Sequence, residues 1–262
     1  MSAIVLGDGL VHYEVLGRGK PLILLHGWIG SWRYWMSTME DLSSGYRVYA
    51  PDLWGFGDSD KRRSAYTVRD YVAQLDTFLS QLGVDEVSLV GHSLGGAIAL
   101  EFATSSPDRV KRVVGVGVPF NRAAVARALV NASTHGEALV KLATRRATYP
   151  EIDLEVRKTD MAAVAHSVAS LAELDLYHSV QSLRIPVLLV YGEQDPLVRW
   201  PGPDIVPDDA ADRKRVFCLT GAQHFPMLEQ RNKFSRLLLD FLENDGDLAT
   251  LTIKQEWQRR LR

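Results

Sequence analysis

The sequence predicts an α/β fold: a mostly parallel, doubly wound sheet with a small helical lid inserted between two strands. Three observations predict it. Short, continuously apolar runs recur at PLILL (21–25), YRVYA (46–50), EVSLV (86–90), VKRVVGVGV (110–118), PVLLVY (186–191) and RVFCL (215–219). Runs of this kind suit strands covered on both faces, as in a parallel sheet. Segments of helical periodicity separate most of them. Between about 120 and 182 that rhythm lapses, because NRAAVARALVNA, GEALVKLATRRA and DMAAVAHSVASLAEL are helical in pattern with no strand between them. With 262 residues, 46% of them hydrophobic, the chain can build one large domain carrying an insertion. The expected division is a core of residues 1–118 and 184–243, a lid over 119–183 and a C-terminal extension over 244–262.

In chain order, residues 3–6 and 10–16 flank GDG and predict a hairpin. After PLILL comes SWRYWMSTMEDL, where Trp32, Trp35, Met36, Met39 and Leu42 recur at helical spacing, predicting a helix packed on the sheet. Residues 67–82, TVRDYVAQLDTFLSQL, predict a second helix with Thr67 as N-cap and Gly83 as stop. AIALEFA, following the EVSLV strand, is helical in spacing again. The single cysteine, Cys218, falls within RVFCL and is expected as a small buried core residue. In the extension, Ile253, Trp257 and Leu261 recur every four residues, which predicts a short amphipathic helix packed on the body, with packing on a partner as the alternative.

Composition narrows the function classes. A net charge of −2 from 30 basic and 32 acidic residues gives no reason to expect nucleic acid or an anionic membrane as partner. MSAIVLGDGL lacks both a basic segment and a long apolar segment, so it does not read as a secretory signal. No apolar run approaches the roughly 18–20 residues needed to cross a bilayer. One cysteine cannot form an internal disulfide, and the expected compartment is the cytoplasm. The sequon at Asn131 and Ser133 is then a coincidence.

The chemistry concentrates at LVGHSLGG (89–96), where three glycines surround one serine between a strand and a helix. Gly91-His92-Ser93-Leu94-Gly95 fits G-x-S-x-G, a sharp turn that lifts the serine hydroxyl above the sheet. The following helix directs its positive end at the same spot. A serine hydroxyl is a poor nucleophile until a base takes its proton. The base and its orienting acid are expected at other strand ends, in the order serine, acid, histidine. GEQDPLV, after PVLLVY, offers Asp195 at a turn apex before Pro196, with Glu193 as a nearby alternative. TGAQHFPMLE, after RVFCL, offers His224. The rival acid position, after the strand ending at Val118, reads PFN and holds no carboxylate. Acyl transfer also needs donors for an oxyanion: the backbone N–H of Leu94, and that of Trp28 in LLHGWIG. His12, His135, His166 and His178 are expected to be structural or solvated, and His92 to pack within the turn.

HGW, DLWGFGDS, GHSLGG, GEQDPLV and GAQHFPMLE together resemble the α/β-hydrolase fold superfamily, in its motif order, from about residue 5 to 243. The resemblance implies Ser93 as nucleophile, His224 as base, Asp195 as its orienter, and Trp28 and Leu94 as amide donors, on a serine-nucleophile, esterase-like branch. It implies a structural role for Asp52. Epoxide hydrolases and haloalkane dehalogenases of this fold carry an aspartate at the nucleophile position, so Ser93 argues against both. The HGG and HGGG oxyanion motifs of some lipases are absent; this is the HG-x form.

The function these residues predict is hydrolysis of carboxylic esters through an acyl-enzyme, with no cofactor and no metal, acting on a small-molecule ester as monomer or homodimer. Two alternatives stand beside it. One keeps the triad for C–C bond hydrolysis or cofactor-free haloperoxidase or perhydrolase chemistry. The other is a non-enzymatic small-molecule receptor on the same scaffold. Bulk at Trp28, Ile29, Phe120 and Phe225 under a compact lid predicts a short acyl pocket.

Overall fold

Eight strands pair into one sheet in the computed structural model, which describes residues 2–7, 9–61, 66–120, 149–202, 205–206, 213–244, 248 and 251. They are β1 (Ser2–Leu6), β2 (Gly9–Leu16), β3 (Lys20–Leu25), β4 (Tyr46–Pro51), β5 (Val87–His92), β6 (Val110–Val116), β7 (Val187–Gly192) and β8 (Lys214–Leu219). Their order across the sheet is β1-β2-β4-β3-β5-β6-β7-β8. The β1–β2 and β2–β4 pairs are antiparallel, and every pair from β4 through β8 is parallel. Each apolar run is therefore a strand, and the two runs around GDG form the expected hairpin. β5 and β7 are buried along their whole length, as continuous apolar strands covered on both faces must be. β6 stops at Val116, short of Val118, because Gly117 turns the chain at φ 56° while its N–H donates to Val190 O.

The helices fill in between. The segment predicted as one helix from Ser31 divides into a 3₁₀ turn, Trp32–Trp35, and α1 (Met36–Leu42). The tighter turn changes which side chains face inward. Trp35, Met39 and Leu42 are buried, but Met36 is 40% exposed and Trp32 only partly covered, so the predicted stripe is not one continuous packed face. α2 (Val68–Gln81) begins in a capping box, with Thr67 Oγ1 accepting from the Asp70 N–H and the Asp70 carboxylate accepting from the Thr67 N–H. α3 (Leu94–Ser105) is apolar nearly all round and accordingly buried, packed on β5 and β6 and beside α2. α4 (Pro150–Val156), α5 (Met161–Ser170) and α6 (Leu176–Ser182) lie between β6 and β7. α7 (Pro226–Glu229) and α8 (Arg231–Glu243) follow β8, and α8 packs against α1. No helix among the described residues is long and apolar enough to cross a membrane. The segments NRAAVARALVNA and GEALVKLATRRA, with Asn131, Ser133 and His135, and the C-terminal Ile253, Trp257 and Leu261 lie outside the described residues.

Two consequences position the site. Strand order reverses between β3 and β5, so the loops leaving their carboxyl ends diverge around a crevice, the usual place for a ligand in a doubly wound sheet. The helices α4 and α5 are fastened to the loops at that end. Arg33 pairs with Glu155 and Asp58, each at 3.0 Å, and Lys158 pairs with Asp58 at 2.7 Å. The Trp28 indole N–H donates to Ser167 Oγ at 2.8 Å.

The elbow between β5 and α3 leaves no room for side chains at its glycines. A Cβ at Gly91 would stand 2.2 Å from Gly95 O, and one at Gly95 would stand 2.3 Å from Leu25 O. Both contacts are with backbone that cannot give. Gly91→Ala should therefore cost about 3 kcal/mol or more, against about 0.5 kcal/mol or less for Gly45→Ala, where a Cβ meets nothing within 4 Å. Urea denaturation of the two variants checks this; equal losses would contradict it.

Candidate active site

Ser93 sits where β5 becomes α3, with φ 53° and ψ −114°. Among the described residues only Ser93 and Ile29 combine a side chain with positive φ, at 53° and 56°, and both belong to this crevice. Strain of this kind persists only where surrounding structure enforces it. The Ser93 N–H is pinned to Val116 O at 2.7 Å, and Ser93 O accepts from the Gly96 and Ala97 amides at the start of α3. The side chain is 1% exposed, and its Oγ is buried without a hydrogen-bond partner. The hydroxyl is therefore held near the positive end of a helix with nothing engaging it.

His224 and Asp195 meet as the spacing predicts. His224 Nδ1 lies 2.8 Å from Asp195 Oδ2, and both side chains are buried. The carboxylate accepts at its other oxygen from the Leu197 and Val198 amides, at 2.8 and 3.0 Å. A carboxylate with these donors holds the imidazole in the Nδ1–H form and leaves Nε2 to accept a proton. Glu193 accepts instead from the Gly221 amide, so the alternative acid points elsewhere. The His224 ring packs on Gly117, where a Cβ would stand 3.3 Å from Cε1. Gly117 follows Val116, whose carbonyl holds the Ser93 amide, so the three residues share one corner of the sheet.

The amides proposed as oxyanion donors are oriented by their surroundings. Gly27 O accepts from His26 Nδ1 at 2.8 Å and from the Gly30 N–H at 3.1 Å, and His26 Nε2 accepts from the Leu53 N–H at 2.9 Å. C=O and N–H point opposite ways across a trans peptide. Holding Gly27 O on one side therefore aims the Trp28 N–H to the other. A Cβ on Gly27 would come within 2.8 Å of Ser93 Cβ, so this peptide lies directly against the serine. Leu94 opens α3, and its N–H is one of the orphans every helix start leaves.

Three residues with roles here escaped the sequence reading. Tyr34 and His92 link the loop at Gly27 to His224: Tyr34 Oη accepts from the Gly27 N–H and lies 3.0 Å from His92 Nδ1, while His92 Nε2 lies 2.8 Å from His224 O. His92 thus does more than pack in the turn. Glu229 clamps the backbone on both sides of His224, one carboxylate oxygen accepting from the Gln223 N–H and the other from the Phe225 N–H at 2.9 Å. Tyr149 donates to that second oxygen at 2.9 Å, and burial pushes its own hydroxyl well above the usual tyrosine range. Glu229, four residues beyond Phe225 at a helix start, is the one of the three with a local signal, an acid in the first helical turn placed to reach back to the amides that precede it.

The remaining candidates fall as follows. Phe225 packs beside His224, its ring 5.1 Å from that ring and 5.0 Å from that of His92. Phe120 is buried against Tyr177, with ring centroids 5.1 Å apart, and Trp28 and Ile29 are buried in the loop after β3. His166 and His178 are exposed. His12 lies in β2, 3.1 Å from Asp52, whose carboxylate also accepts from the Trp32 and Asp58 amides. His12, Asp52 and Asp58 are close enough to share a cation, but Arg33 and Lys158 already neutralise Asp58, so the group serves to brace the loop after β4.

Residues 20–133 match the sequence model of the α/β hydrolase fold. A 2-hydroxy-6-oxo-2,4-heptadienoate hydrolase from Pseudomonas putida is 28% identical over 268 residues, covering 92% of this chain and 96% of that protein. A soluble epoxide hydrolase from Corynebacterium sp. is 40% identical over 103 residues, and the chain spans 36% of its length. A thermophilic esterase from Thermogutta terrifontis, solved with malate bound, superposes with a TM-score of 0.78 at 20% identity, covering 94% of this chain and 100% of that one.

The buried histidines give stability a sign with pH. Burial, reinforced by repulsion from His224, holds His92 well below the usual imidazole range, and burial lowers His26. In the unfolded chain both would titrate near ~6.5. Below that pH the unfolded state takes up protons that the fold refuses, so stability falls as pH drops. His12 has the opposite sign: its hydrogen bond to Asp52 raises it, so its contribution is full below about pH 6.5 and fades as pH rises through its folded value. Unfolding free energy from urea melts should fall between pH 7.5 and 5.5, and His92→Gln should flatten that slope. Parallel curves for the two proteins would contradict the assignment.

Proposed function

The chain has the α/β-hydrolase fold, and on that scaffold we propose a serine hydrolase that cleaves carboxylic esters of small acyl groups through an acyl-enzyme on Ser93. The observation that carries this reading is the His224–Asp195 pair, 2.8 Å apart, beside a buried and unengaged serine hydroxyl on a strained turn. His224 Nε2 takes the Ser93 proton as Oγ attacks the ester carbonyl, and Asp195 stabilises the imidazolium. The carbonyl oxygen, now an oxyanion, receives the Trp28 and Leu94 N–H groups. The tetrahedral intermediate collapses, His224 gives its proton to the leaving alkoxide, and the alcohol departs. Water then surrenders a proton to the same histidine as it attacks the acyl carbon, and the second tetrahedral intermediate collapses to the acid while His224 returns that proton to the departing Ser93 Oγ. The scheme needs no cofactor or metal. That the Ser93 hydroxyl is unbonded is compatible with it, since such contacts often tighten only with substrate bound.

A second reading has its own observation. The Pseudomonas relative aligns along 96% of its length, and its name describes hydrolysis of 2-hydroxy-6-oxo-2,4-heptadienoate, a substrate with no ester linkage, so a carbon–carbon bond is the one left to cleave. The same triad would serve, with a stabilised carbanion leaving in place of an alkoxide. The epoxide hydrolase match favours no third reading, because this chain offers a hydroxyl where an alkyl-ester mechanism needs a carboxylate.

The acyl preference rests on bulk. Trp28, Ile29, Phe120 and Phe225 are all buried, and the Trp28 indole is tied to Ser167. Each acyl methylene that fits contributes about 0.8 kcal/mol, and one that clashes costs more than it contributes.

Steady-state kinetics test both levels. Ser93→Ala should abolish turnover of p-nitrophenyl butyrate, and His224→Ala should lower kcat by roughly 10⁴-fold, with the double variant little worse than either single. Losses that multiply would mean the residues work separately. Acetate to butyrate esters should exceed the decanoate in kcat/KM. A steady climb through ten acyl carbons would contradict the short pocket, and much faster turnover of a vinylogous diketone would favour the second reading.

A further inference from the structure

We propose that His92 is a positioning residue, an Nε2–H imidazole that, together with Tyr34, ties the loop bearing the Trp28 amide to the loop bearing His224. The inference rests on the serine chemistry proposed above and concerns how its parts are kept in register.

The two ends of the chain of hydrogen bonds decide its direction. The Gly27 N–H can only donate, and the His224 carbonyl can only accept. The second requirement places a proton on His92 Nε2, 2.8 Å from His224 O. A neutral ring protonated there accepts at Nδ1, so the Tyr34 O–H donates to it across 3.0 Å while Tyr34 Oη accepts from Gly27. Every hydrogen in the sequence Gly27–Tyr34–His92–His224 finds an acceptor in the next member, and with the ring neutral the sense cannot reverse. The burial that depresses the ring's basicity and raises that of the phenolate keeps both groups neutral, as this arrangement requires.

The four residues come from four separate segments: the loop after β3, the 3₁₀ turn, the end of β5 and the loop after β8. Gly27 precedes the Trp28 amide, His92 precedes Ser93, and His224 is the base itself. One ring therefore references donor, nucleophile and base to each other. Its walls are aromatic: Tyr34 meets it edge-on at 5.5 Å, and Phe225 and His224 lie 5.0 and 4.6 Å away. Glu229 accepts from the Gln223 and Phe225 N–H groups, and because the Phe225 N–H and the His224 C=O point opposite ways across one trans peptide, the His92 bond holds the other side of that peptide. Catalytic groups must stay within about 0.5 Å of productive geometry, and a displacement of about 1 Å can cost on the order of 100-fold in rate. A residue that only filled space would need neither ring nitrogen.

The test measures the second-order rate of Ser93 phosphonylation by a p-nitrophenyl alkylphosphonate, for wild type, Tyr34→Phe, His92→Gln and the double variant. Tyr34→Phe preserves the ring and its packing, and melting temperatures monitor folding throughout. Each single variant should react roughly 10-fold or more slowly, with KM for p-nitrophenyl butyrate changed less than about threefold. The double variant should be no slower than the slower single, because both break one chain. Histidine ¹⁵N spectra of the wild type should show His92 neutral with its proton on Nε2 between pH 6 and 8. Variants that melt lower yet label at the wild-type rate, losses that multiply, or a His92 proton on Nδ1 would each overturn the proposal alone. A wild-type protein that does not label at Ser93 would overturn the serine chemistry, and this inference with it.

Discussion

At Ser93 the chain leaves β5 and enters α3 with φ 53° and ψ −114°, a conformation that costs a residue with a side chain on the order of 1–3 kcal/mol. The rest of the site can be read as what makes this turn tolerable and useful. Gly91 and Gly95 let the first turn of α3 close against β5 and against the carbonyls of Leu25 and His26. Val116 O holds the serine amide, and Gly117, turning immediately after, opens the space into which His224 packs. The neighbouring loop pays with a second unusual residue, Ile29 at φ 56°, directly after the Trp28 amide. The strain lies where chemistry is proposed and nowhere else among the described residues that carry side chains.

Polar groups in this buried crevice divide into two sets. An unsatisfied buried donor or acceptor costs about 1–3 kcal/mol, so native interiors satisfy nearly all of them. Here the supporting groups obey that rule: both nitrogens of His26 and of His92 are bonded, the Tyr34 hydroxyl is used as donor and acceptor, and Asp195 receives three N–H groups. The Ser93 hydroxyl is the exception, joined by the helix-start amide of Leu94. In the proposed scheme the substrate carbonyl brings the Leu94 amide its acceptor, while the Ser93 hydroxyl gives its proton to His224 as it attacks.

What could be read from the chain and what could not follows from how far each feature depends on distant residues. The strands were legible because burial on both faces makes them continuous apolar runs, and Asp195 and His224 were legible because each falls just past such a run. Thr67 announced the start of α2 through its own side chain. The 3₁₀ turn at Trp32–Trp35 was not legible, since its aromatic spacing fits an α-helix equally well. Tyr34 and His92 were illegible for a stronger reason: their partners stand 58 and 132 residues away, and no local pattern encodes a contact of that kind. Glu229 lay between, carrying a local signal that the motif around His224 overshadowed.

The central claim is that Ser93, the Trp28 and Leu94 amides and the His224–Asp195 pair already form one acyl-transfer site. A crystal structure of the protein inactivated by an alkylphosphonate tests it most directly. The account predicts phosphorus bonded to Ser93 Oγ and a phosphonyl oxygen about 3 Å from both the Trp28 and Leu94 nitrogens. It also predicts His224 still on Asp195, with the backbone of 26–30 unmoved. Phosphorus on another residue, or a phosphonyl oxygen turned away from both amides, would contradict it.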